Sequence, residues 1–156
     1  MPLSTLNAIS PVDGRYRRHT ETLAPLLSEW GLIRHRVEVE ISYFIDLVEL
    51  PLPQLEDFPL DKKSLLTGLY ENFTEEDAQR IKDIESTTNH DVKAVEYWIK
   101  EEMGKLDLGK WSEFVHFGLT SQDVNNTAIP LSLKRSTEDV YLPILDEVIS
   151  KLEELS

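Results

Sequence analysis

The chain has 156 residues, no cysteine and a net charge of −13. This length suffices for one domain with an apolar core, while the lack of cysteine excludes a disulfide framework and a cysteine-based metal site. The acidic balance argues against a nucleic-acid surface, because phosphate backbones need clustered cations, and no apolar run approaches the roughly 18 residues of a membrane span.

The first third of the chain predicts an irregular segment followed by a long helix. Residues 1–20 are expected to be irregular, with a turn in which Pro11 fixes φ and Gly14 permits a positive φ. From a cap at Ser28, apolar residues recur every three or four positions, and prolines from Pro51 onward end this amphipathic helix. Its apolar positions are Trp30, Ile33, Val37, Ile41, Phe44 and Val48.

The middle third predicts three further helices. Asp61 is expected to cap the first of them, and Thr74 the second, which carries acidic residues in its first turn. Residues 87–91 interrupt the apolar pattern and are predicted to cap the third, which ends at a loop over 104–109.

The last third predicts helices up to the final residue. Residues 111–117 indicate a short apolar helix, and Thr120 with Ser121 starts the next one, in which Pro130 predicts a kink or an early break. The segment 143–155 stays amphipathic, and we expect it to open a longer helix whose apolar stripe is uncovered here. No alternating strand stands out, so the predicted fold class is all-α.

Three polar clusters interrupt these helices, at 13–19, 87–91 and 116–123. In the first, an arginine beside a glycine turn can present a planar fork to phosphate. In the second, a histidine lies at a helix start, where N–H groups favour anions. In the third, a Thr-Ser pair can offer hydroxyl and N–H groups to a carboxylate. From spacing alone, a basic turn and two helix caps are the better interpretation.

Other functional motifs do not occur in the sequence. There is no phosphate-binding G-x-x-x-x-G-K-[ST] loop, no G-x-G-x-x-G and no H-E-x-x-H. The histidines lack metal-ligand spacing, and His116, beside Phe114 and Phe117, is expected to be a satisfied core histidine. The sequence therefore predicts neither a metal nor an organic cofactor.

Taken together, three segments resemble bacterial-type adenylosuccinate lyases. They are 10–16 (SPVDGRY), 87–97 (TTNHDVKAVEY) and 113–126 (EFVHFGLTSQDVNN), in the order and spacing of that family. The second is the most specific, because Thr-Ser-x-Asp is shared across the wider superfamily of fumarase and argininosuccinate lyase. The TTNHD block disfavours argininosuccinate lyase, the rival within the superfamily. A non-catalytic helical interaction module is the other alternative.

The resemblance implies a fold and an activity. The fold would be the fumarase/aspartase type, with an N-terminal helical domain over 1–141 and the truncated beginning of the central helix bundle over 142–156. Members are cytoplasmic homotetramers whose sites combine motifs from different subunits. They cleave adenylosuccinate to AMP and fumarate, and the succinylated carboxamide ribotide to its carboxamide and fumarate, by β-elimination without metal or cofactor.

The resemblance also implies roles for individual residues. Those expected to bind the nucleotide end are Arg15 and Tyr16, those lining the substrate site are Asn89, His90 and Asp91, and those holding a succinyl carboxylate are Thr120 and Ser121. His116 is a weaker candidate for the same pocket. The family's general acid and base lie in later segments, so no catalytic residue is assigned here, and the chain alone is expected to be inactive.

Overall fold

The structure is a computed structural model that describes residues 5–6 and 8–156. These described residues contain no strand, so the all-α prediction is confirmed. Short 3₁₀ turns cover Glu21–Leu23, Leu60–Lys62 and Gly109–Phe114, and a π-helical segment covers Ser136–Tyr141. The α-helices are α1 (Arg17–Thr20), α2 (Ala24–Leu27), α3 (Glu29–Glu49), α4 (Lys63–Glu71), α5 (Glu75–Thr88), α6 (Asp91–Lys105), α7 (Ser121–Arg135) and α8 (Leu142–Glu154).

The chain divides into two compact units. The central unit is Leu32–Leu131, and the terminal unit combines Met1–Gly31 with Ser132–Ser156. Residues 1–4 and 7 of the terminal unit, which the sequence predicts to be irregular, lie outside the described residues.

Helix α3 supplies much of the apolar core of the central unit. It begins as predicted, because the Ser28 hydroxyl oxygen accepts a hydrogen bond from the Gly31 N–H at 3.1 Å. Its apolar positions lie three or four residues apart on one face, and Val37, Ile41 and Phe44 are almost fully buried. Phe44 also makes an edge-to-face contact with Phe58, with ring centroids 5.6 Å apart.

Helix α5 begins with a reciprocal cap. The Asp77 N–H donates to the Thr74 hydroxyl at 3.2 Å, and the Thr74 N–H donates to the Asp77 carboxylate at 2.9 Å, which confirms the predicted start. The Asp61 cap predicted for the preceding helix is wrong. Asp61 lies inside the 3₁₀ turn, and α4 follows with no side-chain cap, because that tighter turn already leads the backbone into the helix.

The predicted helix over 111–117 is also wrong. A 3₁₀ turn occupies Gly109–Phe114, and the backbone of His116 and Gly118 then adopts left-handed angles, with φ of 63° and 76°. Its anchors are two apolar side chains on either side of it, Leu108 and Val115, both almost fully buried. The extended backbone of Val115 and the left-handed angles that follow it end the helical geometry, so the segment forms a compact turn instead.

The terminal unit departs from the irregular structure predicted for residues 1–20. Residues 17–20 form α1, and the turn before it is closed by the Tyr16 N–H donating to the Pro11 carbonyl at 2.9 Å. Gly14 is required there for space rather than for a positive φ. A Cβ at Gly14 would lie 2.9 Å from the Cβ of Ala8.

Of the two outcomes predicted at Pro130, a kink or an early break, the break does not occur, since α7 continues through this residue to Arg135. Pro130 is exposed, while Val124, Ala128, Ser132 and Ser136 form a buried row at four-residue spacing on both sides of it. Packing along this row offsets the lost hydrogen bond, so the backbone leaves α geometry only at the π-helical segment Ser136–Tyr141.

Helix α8 exposes its apolar stripe, as the sequence predicts. Leu145 is 38% exposed, Val148 51%, Leu152 63% and Leu155 79%. Burial of one of these leucine or valine side chains against another surface would contribute about 1.5–3 kcal/mol of favourable free energy.

Candidate substrate-binding site

The loop between α5 and α6 presents His90 at a helix N-terminus. Asn89 ends α5 in the left-handed region, with φ of 51°, and its N–H donates to the Glu85 carbonyl at 2.8 Å. His90 is then extended and caps α6, because its Nδ1 accepts a hydrogen bond from the Lys93 N–H at 3.1 Å. In the neutral imidazole the proton therefore lies on Nε2, which faces outward from the cap.

The start of α7 lies directly beside this histidine. The Ser121 hydroxyl oxygen is 3.3 Å from His90 Nε2, so Nε2–H can donate to it. The hydroxyl hydrogen of Ser121 then remains available for another acceptor. Two clusters that lie about thirty residues apart in the sequence are thus joined at one place.

The polar groups of Thr120 are bonded to a residue in the first turn of α7. Its N–H and its hydroxyl both donate to one carboxylate oxygen of Asp123, at 2.8 and 2.7 Å. These two hydrogen bonds hold the pKa of Asp123 below its ordinary value. The Thr120 hydroxyl hydrogen is therefore already engaged within the protein, and Ser121 is the member of the pair whose hydroxyl hydrogen is not donated to Asp123.

Asp91 is held by a buried arginine of α3. Arg36 Nη2 lies 2.7 Å from Asp91 Oδ2, and Arg36 Nε donates to Asn125 Oδ1 at 2.9 Å. Burial raises the pKa of Asp91, but the Val92 N–H and the Arg36 charge outweigh it and lower the pKa below its ordinary value. Asp91 is therefore an ionised, structurally engaged carboxylate.

His116 is paired with a second charged residue of α3. Its Nδ1 lies 2.5 Å from Oε1 of Glu40, whose side chain is fully buried, while 16% of the His116 side chain is exposed. Burial is the largest influence on Glu40 and raises its pKa, although His116 opposes the shift. Tyr43 secures the same turn by donating its hydroxyl to the Phe117 carbonyl at 2.9 Å. His116 is thus a partnered, largely buried histidine with one exposed edge.

Arg15 and Tyr16 belong to the terminal unit, whereas the residues described in the preceding paragraphs belong to the central unit. The Arg15 guanidinium stacks 4.5 Å above the Tyr16 ring centroid, and its Nη2 donates to the Tyr16 hydroxyl at 2.5 Å. Both side chains are accessible, and Arg15 borders a surface depression lined by Thr5, Ala8, Ile9, Ser10 and Pro11.

Sequence reasoning missed the residues of α3 that hold these loops, Arg36, Glu40 and Tyr43, and it missed Asn125 of α7, the partner of Arg36. A signal was present, since Arg36 and Glu40 each precede a core position of α3, at Val37 and Ile41. Two charges on the buried face of an amphipathic helix need partners, because an unpaired buried charge is costly.

A cleft of the central unit lies elsewhere. It has a volume of about 320 Å³ and contains none of the sequence-predicted site residues. Its lining residues are Glu38, Val39, Ser42, Tyr43, Asp46, Leu119, Asp123, Val124, Thr127 and Leu131.

Within the described part of the chain, no helix combines the length and apolar character needed to cross a membrane. Across the same residues, the structure contains no group of three or more histidine, aspartate or glutamate side chains placed to hold a metal ion.

Comparison with known proteins identifies the class to which this all-α chain belongs. A family model described as "Lyase" matches residues 61–156, so the chain belongs to that family. It is similar to the adenylosuccinate lyase of Dictyostelium discoideum, with 52% identity over 94% of this chain and 32% of that protein. The adenylosuccinate lyases of Haemophilus influenzae and Escherichia coli K12 are each 42% identical over 100% of this chain and 35% of their own length.

These relatives confirm the resemblance seen in the sequence motifs. The chain spans about a third of the length of the curated relatives it matches. None of these relatives carries the name of argininosuccinate lyase or of an interaction module, the two alternatives raised by the sequence.

Proposed function

We propose that this chain is part of an adenylosuccinate lyase that cleaves adenylosuccinate to AMP and fumarate. In this β-elimination a base removes the proton next to a carboxylate, the carbon–nitrogen bond breaks, and an acid protonates the leaving nitrogen. The succinylated carboxamide ribotide contains the same succinyl-amine bond and is the second proposed substrate. The enzyme acts as a cytoplasmic homotetramer, without metal or organic cofactor.

The observation that carries this proposal is the contact between His90 and Ser121. It places a serine hydroxyl, whose oxygen can accept from the His90 N–H, at the N-terminus of α7, and a hydroxyl hydrogen beside helix N–H groups suits a carboxylate. A succinyl group carries two carboxylates, and the intermediate formed by proton removal is richer in negative charge than the substrate. Donors aimed at that charge stabilise the transition state.

The proposed roles of the individual residues follow from these contacts. Ser121 donates to a succinyl carboxylate, and His90 orients Ser121 and the substrate. Asn89 and Asp91 shape the loop that presents His90, and Thr120, bonded to Asp123, stabilises the start of α7 at the same end. Arg15 and Tyr16, as a stacked pair, bind the phosphate end of the nucleotide.

Fumarate release, followed by ultraviolet absorbance, tests the proposal in the full-length protein, meaning a chain of the relatives' length that contains this sequence. Ser121→Ala should lower kcat/KM by about 10-fold or more, since a hydrogen bond to a charged group contributes about 1.5–3 kcal/mol. Ser112→Ala is the matched control, because that hydroxyl donates only to the Gly109 carbonyl within the 3₁₀ turn. His90→Ala should reduce turnover strongly, and because it also removes the cap of α6 it should cost about 0.5–2 kcal/mol of stability without unfolding the protein.

Two results would contradict this reading. The full-length protein could fail to release fumarate from adenylosuccinate, or Ser121→Ala could behave like Ser112→Ala. The 156-residue chain should itself release no fumarate, since by resemblance the acid and the base lie in other segments.

A further inference from the structure

Two links join the start of α6 to the first turns of α7. One is the accessible contact between His90 and Ser121, at 3.3 Å. The other runs through Arg36 of α3, which bonds Asp91 at 2.7 Å and Asn125 at 2.9 Å. The links are adjacent, because Asp91 directly follows His90 and Asn125 lies one helical turn beyond Ser121.

In the second link the arginine is sheltered from water, although 45% of the Asp91 side chain is exposed. The Arg36 side chain is 7% exposed, and its neighbours on α3, Ile33 and Val37, are 2% and 0% exposed. A guanidinium held by such packing has a fixed position, whereas the His90 side chain is about half exposed. The link through the buried Arg36 is therefore able to dictate the geometry of the contact between His90 and Ser121.

The chemistry of this link requires arginine. Its Nε–H and Nη2–H point along one edge of a rigid plane, so a single side chain fixes two acceptors at a set separation. A lysine ammonium is a compact point charge on a flexible stem and cannot impose that separation.

We propose that Arg36 is a positioning residue that sets the spacing between His90 and Ser121 by holding Asp91 and Asn125 on one guanidinium. This inference rests on the proposed lyase function for its effect on rate. Arg36 itself need not touch substrate. A misplacement of about 1 Å at a reacting group can cost about 100-fold in rate, so a small loss of register is sufficient.

The main test compares two arginine-to-lysine variants in the full-length protein. Arg36→Lys keeps the charge and loses the planar fork, and it should lower kcat/KM for adenylosuccinate by about 10- to 100-fold, mainly through kcat. Arg34→Lys is the matched control on the same helix, because its Nε donates only to the Tyr70 carbonyl, at 3.0 Å. It should retain wild-type kinetics.

A second pair of variants keeps the test decisive if Arg36→Lys does not fold. Asn125→Ala removes one of the two acceptors of the fork and should also lower kcat, by less than Arg36→Lys does. Asn126→Ala is its matched control, because that exposed amide accepts from Gln122 instead, and it should leave kcat unchanged.

Nitrogen NMR of the His90 imidazole separates this inference from the proposed function, because it needs no turnover. Wild type should show the tautomer protonated at Nε2, and Arg36→Lys should show a mixed population, with Arg34→Lys as wild type. The inference is overturned if folded Arg36→Lys, or folded Asn125→Ala, retains both wild-type kcat and the wild-type His90 signal. If Arg36→Lys loses the wild-type His90 signal and the wild-type protein releases no fumarate, the lyase function is rejected and the positioning role of Arg36 is retained.

Discussion

Glu40 and Glu96 are two buried glutamates whose protonation should affect stability in opposite directions. Glu40 is fully buried beside His116, and burial raises its pKa above the ordinary 4.5. Glu96 is also desolvated, but hydrogen bonds from Lys93 and Lys100, at 2.6 and 3.2 Å, outweigh burial and lower its pKa. We therefore expect the difference in free energy of unfolding between wild type and the glutamine variant to change with pH in opposite directions at these two positions.

The sign follows from proton linkage. As pH rises above about 4.5, unfolded chains release the Glu40 proton before folded chains do. The stability that protonated Glu40 contributes at low pH is therefore lost as the pH rises through the pKa of Glu40 in the folded state. Glu96 contributes stability that is present above about 4.5 and is lost as pH falls through its lower folded pKa. One proton changes the free energy of unfolding by at most about 1.4 kcal/mol per pH unit.

Urea unfolding of wild type, Glu40→Gln and Glu96→Gln between about pH 3.5 and about pH 8 measures both effects. The free energy of unfolding of wild type minus that of Glu40→Gln should fall as pH rises from about 4.5. For Glu96→Gln this difference should grow with pH and reach about 1.5–3 kcal/mol near neutrality, the value of hydrogen bonds to a charged group. A Glu40 difference that rises with pH, or a Glu96 difference that stays flat, would refute the reasoning.

Three further outcomes are expected. In the full-length protein, Arg15→Ala should weaken AMP binding in calorimetry by about 10-fold or more, because a charge-assisted contact to phosphate is lost, while Arg18→Ala should bind as wild type does. In the isolated chain, Thr74→Ala should cost about 0.5–2 kcal/mol in urea unfolding, and an unchanged midpoint would deny the cap a role. Leu152→Glu should shift the chain toward monomer in sedimentation, because a charge disrupts the exposed apolar stripe. Equal sedimentation of both forms would show that the stripe does not drive association.

The amphipathic helices could be predicted because their signals are local. Ser28 and Thr74 cap helices as their side chains allow, and the apolar repeat of α3 matches its buried face. The elements that were predicted less well are those whose conformation depends on packing against residues distant in the sequence. Pro130 remains helical because a buried row supports α7 on both sides of it, and no window of neighbouring residues reveals that support.

The candidate site could be predicted only in part, for the same reason. Asn89, His90 and Ser121 belong to motifs whose letters can be read directly. Arg36 and Glu40 lie about fifty residues or more from their partners, so their roles depend on how α3 packs against the loops rather than on any local pattern.

The contacts of the carboxylates in the loops explain how so acidic a chain can offer a site for an anionic substrate. The charge of Asp91 is balanced by Arg36, and Asp123 accepts two hydrogen bonds from Thr120, so both carboxylates are ionised near neutral pH and both have partners within the protein. At contact distance an approaching carboxylate meets the Ser121 hydroxyl, whose oxygen lies within reach of His90 Nε2–H. Because fields of exposed charges fade over about 8 Å at physiological salt, these near groups outweigh the net charge of −13.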